Sequence, residues 1–370
     1  MIGILTFSNT INYGADLQMY ALYKTIKKID CSSEIKIIAY KSESVENREF
    51  PSIKNNLKPK HFIVYIYKMF FTKRKKKEFL KFKKENFSYS DINYDSKNFN
   101  KLSNEFDKII VGSDQVWNTN LTDGDTNFFL KNIDSSVEKY AYAASFGVGE
   151  KEYLNHINTV EIADLLQAFQ KITCREIDGT EIIKQFGRDQ AEWVLDPTFL
   201  LNSKEWEDAF SLDKKEKNRD KKEKYILIYF NKSQSSMEFA KKYAKKHQLK
   251  IKYISMKPFS KNNIEIVNDA SPKDFLDLIK NAEAVITGSY HGFILSLNFN
   301  KPVLVTLDND MLNRNSRIST IINQFDIGDS IYRNEFNQEF FNGYTHFNVK
   351  LDEYRKKSLL LLESMVRYSE

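Results

Sequence analysis

The sequence predicts an α/β fold of two doubly wound domains, and three observations carry that expectation. Short runs rich in Ile, Val and Tyr alternate with amphipathic stretches of helix length, the pattern of helices packed on a mostly parallel sheet. The chain has 370 residues, 41% of them hydrophobic, more than one core ordinarily fills and enough for two. The charged run from Leu212 to Lys224 has almost nothing to bury and interrupts the alternation, so the boundary is expected there.

In the first domain, residues 1–211, strands are expected at Ile2–Phe7, Ile35–Ala39, Lys108–Val111, Tyr140–Ala144, Ile172–Cys174 and Trp193–Leu195. Helices at about Gly14–Lys28, Thr159–Phe169 and Thr180–Phe186 cover them. Beyond the linker at 212–224, the second domain, 225–345, repeats the alternation with strands at Tyr225–Phe230, Ile251–Ile254, Ile264–Val267, Ala284–Thr287 and Val303–Thr306. Helices near Ser235–His247, Pro272–Asn281 and Gly292–Phe299 separate them. The tail, 346–370, carries a helix near Asp352–Tyr368 whose Leu359 to Leu362, Met365 and Val366 form a wide apolar face, fit to dock on one domain or bridge both.

Composition excludes several classes. Cys31 and Cys174 stand far apart without paired spacings, so neither a disulfide framework nor a metal cluster is indicated, and no metal is expected at the site. Met1 to Leu5 runs straight into a buried strand with no signal-like segment before it, so a cytoplasmic location is expected. No apolar stretch approaches the length of about 20 residues that crosses a bilayer.

The net charge of +6 is unevenly placed: from Lys58 to Lys84 there are eleven Lys and Arg residues against the single acid Glu78. This follows and overlaps the apolar stretch Phe62 to Phe71, a combination that suits a helix lying on an anionic membrane through residues 58–84. A core-packing helix with a solvated basic end fits equally well. Nucleic acid is not an expected partner, because the cluster lacks interleaved base-stacking loops.

In doubly wound sheets, ligands bind beyond the carboxyl ends of strands, so the loops after each strand hold the candidate site. After the first strand, Ser8 to Gln18 is polar with Gly14 at a helix start. It can offer amides to an anion, or Asn12 and Gly14 can simply cap and turn. It is not a GxGxxG fingerprint, so no nicotinamide cofactor is indicated. Gly112-Ser113-Asp114-Gln115-Val116-Trp117-Asn118 gathers hydrogen-bonding groups suited to a polyhydroxylated ligand, with Trp117 either stacking on a sugar or packing half-buried. Ser145-Phe146-Gly147 follows another strand, and Asp196-Pro197-Thr198 ends the next, where it can be a strand terminator only. In Thr287-Gly288-Ser289-Tyr290-His291-Gly292, a buried strand gives way at once to a helix, which puts His291 at a helix N-terminus.

Taken in order, Asn12-Tyr13-Gly14 with Leu17-Gln18, Val111 to Asn118, Ala144 to Gly147, Asp196-Pro197-Thr198 and Ser289-Tyr290-His291-Gly292 resemble the polysaccharide pyruvyl transferase family over about residues 1 to 325. The resemblance implies two Rossmann-like domains facing a cleft in a GT-B-like arrangement. It also implies phosphoenolpyruvate as donor and co-substrate, a hydroxyl pair of a glycan or lipid-linked oligosaccharide as acceptor, and no cofactor. His291 and Asp114 are then the expected catalytic residues. Asn12, Tyr13, Gly14, Gln18, Ser113, Gln115, Trp117 and Ser145 fall on the acceptor side, and Ser289 and Gly292 on the donor side. Members of the family often carry arginine two residues before the histidine, where this chain has Ser289, so donor binding is expected to draw on Arg314 and Arg317, whose forked guanidinium matches carboxylate and phosphate. The other readings kept open are a GT-B-like glycosyltransferase using a nucleotide-sugar and a glycan-binding member without turnover.

Overall fold

The computed structural model describes residues 1–49, 59–149, 153, 159–212, 223–231, 233–255, 264–306, 316–328 and 344–367, with 59–71 and 159 described as backbone only. Its first half runs β1 (Ile2–Leu5), α1 (Tyr13–Ile29), β2 (Ile35–Ile37), α2 (Glu43–Glu49), α3 (Pro59–Asn86), β3 (Lys108–Val111), β4 (Glu138–Ala144), α4 (Thr159–Gln167), β5 (Lys171–Cys174), α5 (Ile177–Gln185), β6 (Glu192–Trp193) and α6 (Ser203–Phe210). The second half runs β7 (Tyr225–Tyr229), α7 (Gln234–Lys246), β8 (Lys250–Ile254), β9 (Ile264–Val267), α8 (Pro272–Asn281), β10 (Ala284–Thr287), α9 (Tyr290–Asn298), β11 (Val303–Val305), α10 (Ser316–Phe325) and α11 (Tyr344–Val366).

The strands form two sheets, a six-stranded one in the order β2-β1-β3-β4-β5-β6 and a five-stranded one in the order β11-β10-β7-β8-β9. Every pairing between these strands is parallel. Strands such as Lys108–Val111 and Ala284–Thr287 are buried along their whole length, as parallel strands covered on both faces must be. The strand order reverses between β1 and β3 in one sheet and between β7 and β10 in the other. These switch points open crevices at the strand ends that carry residues 6–12, 112–118, 230–231 and 288–289.

Each strand falls where its hydrophobic run predicts, with ends shifted by at most two residues. The sixth, expected at Trp193–Leu195, is confined to Glu192–Trp193 because the Asp196-Pro197 turn follows at once. Of the expected linker, residues 213–222 lie outside the described residues. Helix α6 lies outside the expected helices and is set by a capping box: Asn202 accepts from Glu205 N and the Glu205 carboxylate accepts from Asn202 N.

The two halves share a core. Tyr13, Leu17 and Tyr20 of α1 and Phe79 and Phe82 of α3 pack with Phe275 and Leu276 of α8 and Phe293 and Leu297 of α9. Tyr13 stacks on Phe275 at 4.6 Å between ring centroids, and its hydroxyl donates to Ala270 O at 3.0 Å. Helix α11 touches both halves, with Phe347 and Leu351 in the shared core and Leu362, Met365 and Val366 against Ile2 and Ile4 of β1. Its terminal carbonyls of Met365 and Val366 accept from the buried Lys108 Nζ at 2.8 and 2.9 Å, which satisfies groups that a helix end leaves open.

The basic stretch is in part turned inward. Residues 59–86 form one helix whose Phe79, Phe82 and Lys83 are buried. Lys83 Nζ donates to the carbonyls of Ser8 and Thr10 at 2.8 and 2.6 Å and pairs with Asp16 at 3.3 Å, pinning the loop after β1. Arg74 pairs with Asp269 of the second half at 2.7 Å. Helical spacing thus sends one stripe of the cluster into the protein, while Lys73, Lys76, Lys77, Lys81 and Lys84 stay exposed. No helix among the described residues is long and apolar enough to cross a membrane.

Candidate active site at the seam between the halves

Three polar strand ends converge on one arginine. Arg175 follows β5 directly and is fully buried. Its Nη2 donates to Asp114 Oδ1 at 2.9 Å and its Nη1 to Asp196 Oδ2 at 2.8 Å. Asp114 belongs to the loop after β3 and is held at φ 78, a left-handed conformation that a non-glycine residue keeps only where its surroundings impose it. Asp196 caps the short turn after β6, its other oxygen accepting from Thr198 N and Oγ1.

The second half adds His291, the second residue of α9, whose Nε2 stands 3.5 Å from Asp196 Oδ2 and 3.4 Å from Arg175 Nη1. Ser289 caps that helix by accepting from Gly292 N. Tyr290 lies between two cations, with Arg175 Cζ 4.8 Å and Arg317 Cζ 5.6 Å from its ring centroid.

Burial raises both aspartates, but their partners outweigh it. His291 and Arg175 hold Asp196 far below the ordinary carboxylate range, and Arg175 and His291 hold Asp114 below it. Glu176, beside Arg175, goes the other way: burial raises its carboxyl and the two arginines offset this only in part. One of its oxygens accepts from Phe146 N at 2.7 Å and Gly147 N at 3.2 Å, fixing the loop after β4, and the other has no hydrogen-bond partner. Arg317 is lowered to about 10, first by burial and then by Arg175.

A cavity of about 260 Å³ opens on this cluster, lined from one half by Asn12, Asp114 and Gln115 and from the other by Ser289, His291 and Arg317. The N-termini of α1 and α9 meet beside it: a β-carbon on Gly14 would stand 2.1 Å from His291 Nδ1. The charged lining is balanced, Arg48 and Arg317 against Glu49 and Asp114, so it is the two helix N-termini that tip the space toward an anion. Among the described residues no group of three His, Cys, Asp or Glu is placed to hold a metal.

Several expected ligand-binding residues are packed into the fold instead. Trp117 is fully buried, stacked on Phe129 with its indole N–H donating to Phe128 O, so it is a core residue and not a sugar platform. Gln18 spends its amide on Thr6 Oγ1 and Ala15 O, and Ser113 donates to Ala143 O. Ser145 is fully buried, and a side chain on Gly292 would strike Thr287. Asn12 caps α1 while lining the cavity, Gly14 makes room for His291, and Tyr13 joins the two halves. Arg314 lies outside the described residues. Arg175 and Glu176 were missed although they directly follow a predicted strand, the signal that drew attention to the other loops.

Two doubly wound halves whose strand ends face one another across a buried ionic cluster define a Rossmann-like α/β protein with its candidate site at the seam. A family model described as polysaccharide pyruvyl transferase matches residues 12–310, and the chain belongs to that family. No curated protein matches the chain. Among solved structures it is similar to UDP-GlcNAc 2-epimerase from Neisseria meningitidis bound to UDP-GlcNAc, at 12% identity and a TM-score of 0.47 over 96% of this chain and 93% of that one. The UDP-GlcNAc 2-epimerase from Methanocaldococcus jannaschii is similar at 13% identity and a TM-score of 0.47, over 95% of this chain and 99% of the other. A ugt transferase from Siraitia grosvenorii in complex with UDP is similar at 8% identity and a TM-score of 0.44, over 99% of both chains.

Proposed function

We propose that the chain moves the pyruvyl group of phosphoenolpyruvate onto a hydroxyl pair of a sugar in a surface polysaccharide or its lipid-linked precursor. The observation that carries this reading is the convergence of His291, Arg317 and Asp114 on one cavity drawn from both halves, with Arg175 and Asp196 buried behind them.

The reaction needs a proton on the methylene carbon of the donor, attack of one hydroxyl on the adjacent carbon, departure of phosphate, and closure by the second hydroxyl to a cyclic ketal. Both hydroxyl protons leave, one balancing the new methyl C–H and the other carried off with phosphate. Asp114, Asp196 and Arg175 together carry one negative charge, so they are a scaffold and not by themselves an anion site. Arg317 and the two helix N-termini supply the attraction for carboxylate and phosphate. In this reading, Asp196 orients His291 for proton delivery, and Asp114 accepts a proton from the acceptor hydroxyl. The place of the family's arginine before the histidine is filled by Ser289 as a cap, and the cation comes from Arg317 instead.

The test is release of inorganic phosphate from phosphoenolpyruvate in the presence of a panel of synthetic glycosides and lipid-linked sugars. Acceptor-dependent release with a pyruvate ketal detected by mass spectrometry supports the reading. Turnover of a nucleotide-sugar in its place, or no release with any acceptor, sinks it. Because Lys73, Lys76, Lys77, Lys81 and Lys84 remain exposed along α3, a peripheral position on an anionic membrane at the cytoplasmic face is part of the proposal, checked by sedimentation with anionic vesicles at low and high salt.

A further inference from the structure

Beside the active-site cavity lies a second one of about 340 Å³, and the two share Tyr229 and Phe230. It sits beyond the carboxyl ends of β7, β8 and β9, and three of its features point to a ligand. Phe230 is 50% exposed and held at φ 53, a left-handed conformation that is uncommon for a bulky side chain and that presents its ring at the border of both cavities. Lys75 reaches the same cavity from α3, its Nζ 4.4 Å from the Tyr13 ring centroid and 5.2 Å from that of Phe79. Unlike its helix neighbours Arg74 and Lys83, Lys75 forms no ion pair among the described residues. Burial lowers it to about 8, offset only in part by the carboxylates of Glu49 and Asp16. Asn231, Tyr253 and Asn268 also line it; Asn231 is tied to Ser233 and the Tyr253 hydroxyl donates to Asn231 O, so this wall is a fixed polar rim beside Phe230 and Lys75.

We infer that this second cavity is the acceptor subsite and that it takes a glycosyl phosphate, with the sugar ring on Phe230 and the phosphate on Lys75. An aromatic face and a single point-like cation match a pyranose carrying phosphate, which a lysine ammonium binds as a compact charge. Phe230 borders both cavities, so a sugar stacked there holds its hydroxyls toward His291. Naming the ligand as acceptor rests on the pyruvyl-transfer reading, but its binding does not.

The experiment is isothermal titration of the full chain with glucose 1-phosphate, galactose 1-phosphate and N-acetylglucosamine 1-phosphate. The free sugars, inorganic phosphate and UMP serve as comparisons. At least one glycosyl phosphate is expected to bind with Kd below about 1 mM and about tenfold tighter than its free sugar or inorganic phosphate. Lys75→Gln and Phe230→Ala are each expected to weaken it by about tenfold or more. No binding by any of the three, binding that survives both substitutions, or UMP binding as tightly as the best glycosyl phosphate overturns the inference. The panel on the unaltered chain decides the matter even if a variant melts early. A chain that binds a glycosyl phosphate in this way yet never releases phosphate from phosphoenolpyruvate keeps the subsite and loses the proposed reaction.

Discussion

The imidazole of His291 occupies the space where a side chain at Gly14 would be, with Nδ1 only 2.1 Å from an ideal β-carbon there. The first turn of α1 and the first turn of α9 thus come together only because residue 14 has no side chain. Gly14→Ala is therefore expected to push the ring off its position beside Asp196. A displacement of this order typically costs about 10²-fold in turnover. The thermal midpoint should fall as well, and the double variant Gly14→Ala/His291→Ala should recover it without recovering activity. A Gly14→Ala protein with ordinary turnover would show that the ring's place is unimportant.

His291→Ala alone is expected to fold and to lose about 10²–10⁴ of acceptor-dependent phosphate release, the range for a positioned proton donor. His247, stacked on Tyr243 at 4.2 Å at the end of α7, and His346 in α11 lie away from the cavity. Alanine at either should leave turnover near normal. Retention of more than about a tenth of the rate by His291→Ala, with an unchanged melting curve, removes it from the chemistry.

These residues show what a sequence can and cannot disclose. The strands were legible because burial on both faces demands continuous apolar runs, and His291 was legible because a polar strand-to-helix turn is costly without a purpose. Trp117 misled because a tryptophan in a polar loop looks the same whether it faces a ligand or folds back onto Phe129. Arg175 was hidden for a different reason: its partners, Asp114 and Asp196, are distant in sequence and meet it only because β3, β5 and β6 end together on one edge of the same sheet. Pairing across strand ends leaves no local spacing to read.

Asp16 gives a pH dependence of stability. Burial pushes its carboxyl from 3.8 to about 7 despite the nearby Lys83. A raised carboxyl favours the folded state when protonated, so this contribution is fully present below about pH 4 and is lost as pH rises through about 7. Asp16→Asn keeps the shape and removes the charge. It is expected to raise stability at pH 8 by an amount on the order of 2 kcal/mol relative to pH 5, as followed by thermal melts at both values. An equal effect at the two pH values would mean that the carboxylate is ionised in the fold throughout.

The Arg175 cluster has the opposite sign, and that makes it separable from Asp16. In the intact protein both aspartates are depressed, so their contribution is present above the ordinary value of 3.8 and is lost only as pH falls through their lower folded values. Arg175→Met takes away the guanidinium shared by Asp114 and Asp196 while leaving both carboxylates buried. Breaking one side of a buried ion pair costs about 3–5 kcal/mol, because the remaining charge is uncompensated. Burial, which raises a carboxyl, is then opposed by His291 at Asp196 and by His291 and Arg317 at Asp114, so both carboxyls shift upward and the variant's folded state takes up protons at a higher pH than the unaltered chain does. The loss relative to the unaltered chain is therefore expected to be larger at pH 8 than at pH 5. Asp196→Asn added to Arg175→Met should return part of the stability at pH 8 by removing one of the stranded charges, without restoring turnover. Thermal melts of the three proteins at the two pH values read this directly. An Arg175→Met protein destabilised equally at both would show that the arginine holds the strand ends by packing against Tyr290 and not by balancing the two carboxylates.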